Sequence, residues 1–168
     1  MTISMYQASV PRFVHTLGSL SLILDKAQAH ADAKKLDPLV LTAYRLYPDM
    51  LPLTRQVQIA CDAAKGAVAR LAGADIPKHE DVEQSCADLK ARIAKTVDFI
   101  KSFGPARIDG TEDKEVVLKI QGNDVKLSGI QYLLGFATPN FYFHVTTTYN
   151  ILRHNGVEVG KRDFLGAP

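Results

Sequence analysis

The chain is poor in the residues that mark several common functions. Its two cysteines, Cys61 and Cys86, are too few and too plainly set for a disulfide framework or a CxxC metal or redox motif. Each is expected to fill a helix face as a small hydrophobe. No apolar run approaches the roughly 20 residues that span a bilayer. The opening Met1-Thr2-Ile3-Ser4-Met5-Tyr6 lacks the basic start and continuous apolar stretch of a secretory signal. Charge of one sign is lacking too. With 20 Lys and Arg against 18 Asp and Glu the formal net charge is +2, and the signs are interspersed. Nucleic-acid binders instead carry a basic stripe. No Ser/His/Asp spacing and no glycine-rich phosphate loop occurs; Gly122 and Gly129 read as turn glycines. These absences predict a cytoplasmic protein that takes neither a membrane nor a nucleic acid as partner.

What is present is helical periodicity in a chain of 168 residues, enough for one domain over residues 1–168. Residues 4–35 read as a first helix, with Val10, Phe13, Val14, Leu17, Leu20, Leu24 and Ala27 on its apolar face and Pro11 near its start. Asp37-Pro38 caps a short turn, and Pro48 and Pro52 mark a connection. A second helix is expected from Leu53 to about Leu71, closing at Gly73, with Leu53, Val57, Ala60, Cys61, Ala64, Val68 and Leu71 buried. Gln58 and Asp62 lie one turn apart on the margin of that face. The third helix is expected to open at His79-Glu80-Asp81, acidic residues at its positive end, and to bury Val82, Cys86, Leu89, Ile93, Val97 and Ile100. Residues 115–120 and 125–127 read as a β-hairpin turning at Gly122-Asn123. The last helix is expected over 130–155, with a break at Thr138-Pro139, and the tail from Val157 is too polar for another. The fold class is therefore all-α, a four-helix bundle with a short hairpin between helices three and four. In such folds sites are built in the core from facing helices.

The most informative stretch is Pro139-Asn140-Phe141-Tyr142-Phe143-His144, running on to the stop at Asn155-Gly156. Ile130, Leu134, Ala137, Phe141, His144, Thr148 and Ile151 recur at three- and four-residue steps, the spacing of a buried stripe. His144 sits on that stripe among apolar neighbours, and Asn140 lies one turn earlier on the same face.

The helix-two run Pro52-Leu53-Thr54-Arg55-Gln56-Val57-Gln58-Ile59-Ala60-Cys61-Asp62 and the closing Phe143-His144 to Val157 segment resemble the DinB/YfiT-like metalloenzyme superfamily. More narrowly, Ser4 to Pro11, Pro48-Asp49-Met50, Gln56-Val57-Gln58, the Pro139 to His144 run and Leu152-Arg153-His154-Asn155-Gly156 resemble a bacterial branch known only as a domain of unknown function. The resemblance covers nearly the whole chain. It implies a DinB-like bundle and a divalent metal held by three His, one on the second helix and an HxxxH pair on the last. Carried over by position, His144 matches the second His of the pair, the first falls on Asn140, and the second-helix His falls near Gln58. Two imidazoles are thus replaced by carboxamides, poor substitutes with zinc or nickel.

Three readings follow. In the first, Gln58, Asp62, Asn140 and His144, with Tyr142 or Tyr149 nearby, hold a small ligand without the full metal triad. In the second, His144 ligates a weakly bound zinc or nickel, with Gln58, Asp62 or Asn140 completing the shell of a hydrolase or thiol transferase. In the third, Asn140 and His144 are satisfied core polars of a structural or dimerisation module. A homodimer is expected, because tail and hairpin look poor at burying themselves alone.

Overall fold

The computed structural model describes residues 3–166. Two short helices open and follow the first long one: α1 (Met5–Ala8), α2 (Val10–Lys34) and α3 (Pro38–Ala43). Then come α4 (Leu53–Ala72), α5 (Cys86–Lys101), α6 (Pro105–Ile108), β1 (Glu115–Ile120), β2 (Asn123–Ser128), α7 (Gly129–Tyr132), a π-helical turn (Leu133–Ala137), α8 (Thr138–His154) and α9 (Lys161–Leu165). Local chemistry sets most of these limits. Ser9, at φ −119° and ψ −83°, separates α1 from α2, and Pro11 sits in the first turn of α2, where a missing N–H is harmless. Asp37 caps α3 by accepting from the Leu39 N–H at 2.8 Å. Gly73, at φ 65°, closes α4 in the left-handed conformation that favours glycine.

The four long helices form a closed bundle: α2 packs on α5, α5 on α4, α4 on α8, and α8 back on α2. Its core holds the expected faces, including Phe13, Leu17, Leu20 and Leu24 of α2 and Leu53, Val57, Ala60, Cys61, Ala64, Val68 and Leu71 of α4, all fully buried. Phe13 meets Phe141 of α8 edge to face at 4.8 Å, a favourable aromatic geometry.

The hairpin forms, one residue out of the expected turn. Gln121 and Gly122, at φ 50° and 83°, are its two loop residues, both in the positive-φ region that a right-twisted two-residue hairpin needs. Gly129 follows where no side chain fits, since a Cβ there would lie 2.0 Å from the Thr111 carbonyl oxygen. The last helix differs more. Pro139 has no N–H and would crowd the Gly135 carbonyl in a regular helix. The backbone widens instead, and the Thr138 N–H reaches back five residues to Leu133. A π turn carries an extra residue, so the segment before it is rotated. Tyr132 and Leu133 are therefore buried, and Leu134, expected in the stripe, is 53% exposed.

The tail is also corrected. It forms α9, which Lys26 holds through an ion pair to Asp163 at 2.7 Å, while Phe164 packs on Tyr149 at 5.9 Å between ring centroids. Val157 and Val159 are buried against their own bundle, so covering the tail requires no second subunit.

The third helix starts seven residues later than the acidic residues suggest, at Cys86, with Ser85 and Asp88 forming a capping box. Val82, expected in its core face, is 68% exposed. The acids of residues 79–83 serve a different purpose. Arg92, on α5, is 4% exposed, and its Nη1 donates to Glu83 Oε1 at 2.9 Å and to the Glu80 carbonyl at 3.1 Å. Asp81 lies 3.0 Å from the same nitrogen and also pairs with Arg55. Nη2 donates to Asp62 of α4 at 3.1 Å. One guanidinium thus pins residues 79–83 across α4 and α5, and the pairing outweighs any tendency of that run to be helical.

Partial burial pushes the Glu83 carboxyl up, but hydrogen bonds from Arg92 and Gln58 outweigh it and hold it below its ordinary 4.5. Asp81 is likewise raised by burial and lowered further by Arg55 and Arg92, ending below 3.8. The unfolded chain therefore binds more protons at these groups than the folded chain in acid. Their stabilisation is complete above the ordinary values and is lost as pH falls through the depressed ones. Urea midpoints are expected to drop between about pH 5 and pH 3. In Glu83→Gln the protein is expected to be less stable at pH 7 and the drop shallower. An unchanged slope in that variant would contradict the assignment.

Candidate functional site

The stripe of α8 faces α4, and the two helices meet at two levels. At the lower level His144 is 8% exposed, and its Nδ1 lies 2.7 Å from Gln56 Oε1. Gln56 Nε2 donates in turn to the Leu51 carbonyl at 3.0 Å, which fixes the orientation of the amide. An amide oxygen only accepts, so Nδ1 carries the proton and the neutral ring holds its lone pair on Nε2. Burial pushes the His144 pKa down, keeping the ring neutral. Phe143 stands against it edge to face at 5.2 Å.

At the upper level a cleft of about 250 Å³ opens between α4, β1 and the π turn. Asp62 and Asn140 both line it, with Arg70 and Tyr132, and Ile59, Ala63, Leu118, Ile120 and Phe136 supply apolar wall. The π turn is what brings Tyr132, Phe136, Ala137 and Asn140 to one rim. The Asn140 carboxamide has no hydrogen-bond partner among the described residues. Arg70 donates to the Tyr132 hydroxyl at 3.0 Å, and its guanidinium carbon lies 5.7 Å from that ring's centroid. Burial pushes the Tyr132 phenol up, Arg70 offsetting part of the shift, so the hydroxyl stays protonated and can donate. Asp62 pairs with Lys65 at 2.9 Å and with Arg92 at 3.1 Å.

The residues predicted from sequence therefore divide. Asp62 and Asn140 share the cleft. His144 lies outside it, one turn along, facing Gln56 rather than Gln58. Gln58 is 1% exposed and occupied at both ends, accepting from Arg55 at 2.7 Å and donating to Glu83 at 2.7 Å. Tyr149 stands at the tail with Phe164, in a separate shallow pocket with Thr146 and Lys161. Sequence reasoning missed Gln56, Arg70 and Tyr132. Arg70 did leave a signal: it is a lone cation in Ala67-Val68-Ala69-Arg70-Leu71-Ala72, with no acid three or four residues away to pair with it.

The donor set does not fit a three-imidazole metal site. His144 presents one lone pair, held in the tautomer that a ligating His adopts. Its partner across the interface is the Gln56 amide, already bonded, and Asn140 offers a second amide. Among the described residues no group of three or more His, Cys, Asp or Glu side chains could hold a metal ion. Gln56→Leu is expected to cost about 1–3 kcal/mol, the range for stranding a buried donor, measured by urea unfolding. A ring-nitrogen NMR spectrum of the wild type should show the His144 proton on Nδ1; a proton on Nε2 would contradict the relay.

The family described as Domain of unknown function (DUF1993) matches residues 5–165. A crystal structure of a DinB family member protein from Shewanella denitrificans is 45% identical, covers 97% of this chain and 92% of that one, and superposes with a TM-score of 0.90. No curated protein matches. The chain belongs to the DUF1993 family, a DinB-like helical bundle whose function is unknown.

Proposed function

We propose that the protein binds a small, partly apolar molecule in the cleft between α4, β1 and the π turn, without the full metal triad. The observation that carries this reading is the unpartnered Asn140 carboxamide on the rim of a concave, largely apolar wall. Binding sites commonly combine such walls with a few placed polar groups. At about 250 Å³ the cleft takes a compact ligand, being just below the roughly 300 Å³ lower end of small-molecule sites. A π turn at the same rim supports the reading, because such turns occur frequently at functional sites. His144 and Gln56 then orient α8 against α4 and do not touch the ligand. Metal-dependent chemistry, which the DinB/YfiT-like resemblance implies, is the second reading, favoured by the free Nε2 lone pair of His144 and opposed by the donor set around it.

A thermal-shift screen of compact metabolite-like compounds tests the proposal. Some are expected to raise the melting temperature of the wild type and to have no effect on Ala63→Phe, which fills the cleft. Asn140→Leu is expected to weaken the same compounds about tenfold, the loss of one hydrogen bond. Compounds that stabilise wild type and both variants equally would place binding elsewhere and overturn the proposal.

A further inference from the structure

Arg70 is half-buried at the cleft wall, yet no carboxylate lies within ion-pair distance of it among the described residues; its partners are the Tyr132 hydroxyl and ring. A partly desolvated guanidinium is normally paired. The acid of this cleft, Asp62, does not serve, because Lys65 and Arg92 both hold it. The other charged cleft residue is a second cation, Lys119, whose link to Asp124 is 3.5 Å long on an exposed hairpin. The cleft therefore presents net positive charge beside the open Asn140 amide. Guanidinium forks and amide N–H groups are donors matched to a planar carboxylate.

Gly66 sets the position of that guanidinium. It lies one turn before Arg70 on α4, and a Cβ there would stand 2.5 Å from Arg70 Nη1. The missing side chain is the space through which the guanidinium lies back along its own helix toward Tyr132. Gly in a helix interior costs about 1 kcal/mol relative to Ala, so this glycine has a local cost that Arg70 placement explains.

Resting on the cleft reading above, we infer that its ligand carries a carboxylate, held by Arg70 and Asn140 over an apolar or aromatic body, with Gly66 as the positioning residue. The alternative anion, inorganic phosphate, is larger in charge than the cleft's single unpaired guanidinium matches.

The test is amide NMR of the full chain titrated with paired probes: acetate, butyrate, benzoate and phenylacetate against the corresponding carboxamides, with phosphate alongside. At least one carboxylate is expected to shift residues around Ala63, Arg70, Tyr132 and Asn140, and to bind about tenfold more tightly than its amide, as charge-assisted bonds do. Arg70→Gln is expected to abolish that ratio. Gly66→Ala is expected to lower it about tenfold while leaving the melting temperature unchanged or higher, an outcome a merely structural glycine would not give. Carboxamides that bind as tightly as carboxylates, or phosphate that binds more tightly, would overturn the carboxylate inference and leave the cleft reading standing. Failure of every probe to shift the cleft would overturn the inference; thermal-shift hits sensitive to Ala63→Phe would then show that the cleft binds something else.

Discussion

Arg92 receives carboxylates from two directions, Asp62 on α4 and the pair Asp81 and Glu83 from the segment between α4 and α5. Removing one side of such a pairing strands buried charge, which is far more costly than never having built it. The segment 74–85 has no regular hydrogen-bond ladder of its own, so these ion pairs, with Gln58 to Glu83, hold it to the bundle. They also decide the charge of the neighbouring cleft. Once Asp62 is shared between Arg92 and Lys65, it no longer competes for Arg70, which is left with Tyr132 and no carboxylate among the described residues. The structural ion network and the missing carboxylate beside Arg70 are in this way two consequences of one buried guanidinium.

The α4–α8 interface shows a similar division. Its His144 level is closed, with Gln56 matched to the imidazole and Leu51 to Gln56, a relay that satisfies buried polar groups as a packed interior demands. Its Asn140 level is open, because the π turn swings Tyr132 and Phe136 around and leaves space against Ile59 and Ala63. A protein of this family that held a metal through three imidazoles would need them converging on one point. Here two of the three corresponding residues, Gln58 and Asn140, are amides, and Asn140 and His144 lie at different levels of the interface.

Much of this was legible in the sequence where one physical signal dominates. The apolar period of α2 and α4, the Asp37 cap, the Gly73 stop and the existence of a hairpin all follow from local rules that the packing does not override. The misses have specific causes. Gln56 and Gln58 differ by two residues, nearly opposite sides of a helix, and only the docking angle of α8 tells which one meets His144. The π turn before Pro139 shifts the stripe by one residue, so Leu134 was expected inside and Tyr132 was overlooked. The acids at 80–83 look like a helix start until Arg92, nine residues beyond Glu83, shows what they pair with. The cleft needed three elements brought together, β1, the π turn and α4, and no single segment announces it. Of the cleft's cations only Arg70 has no acid three or four residues away, a weak signal that Arg12, Arg55 and Arg153 share.

We propose that this DinB-like bundle holds no metal through its Gln58, Asn140 and His144 positions. Elemental analysis of untagged protein, before and after incubation with zinc and nickel and alongside His144→Ala, tests it most directly. Well under one equivalent of metal per chain is expected, the same in the variant. About one equivalent, retained through desalting and lost in His144→Ala, would contradict it and make the His144 level of the interface the working site.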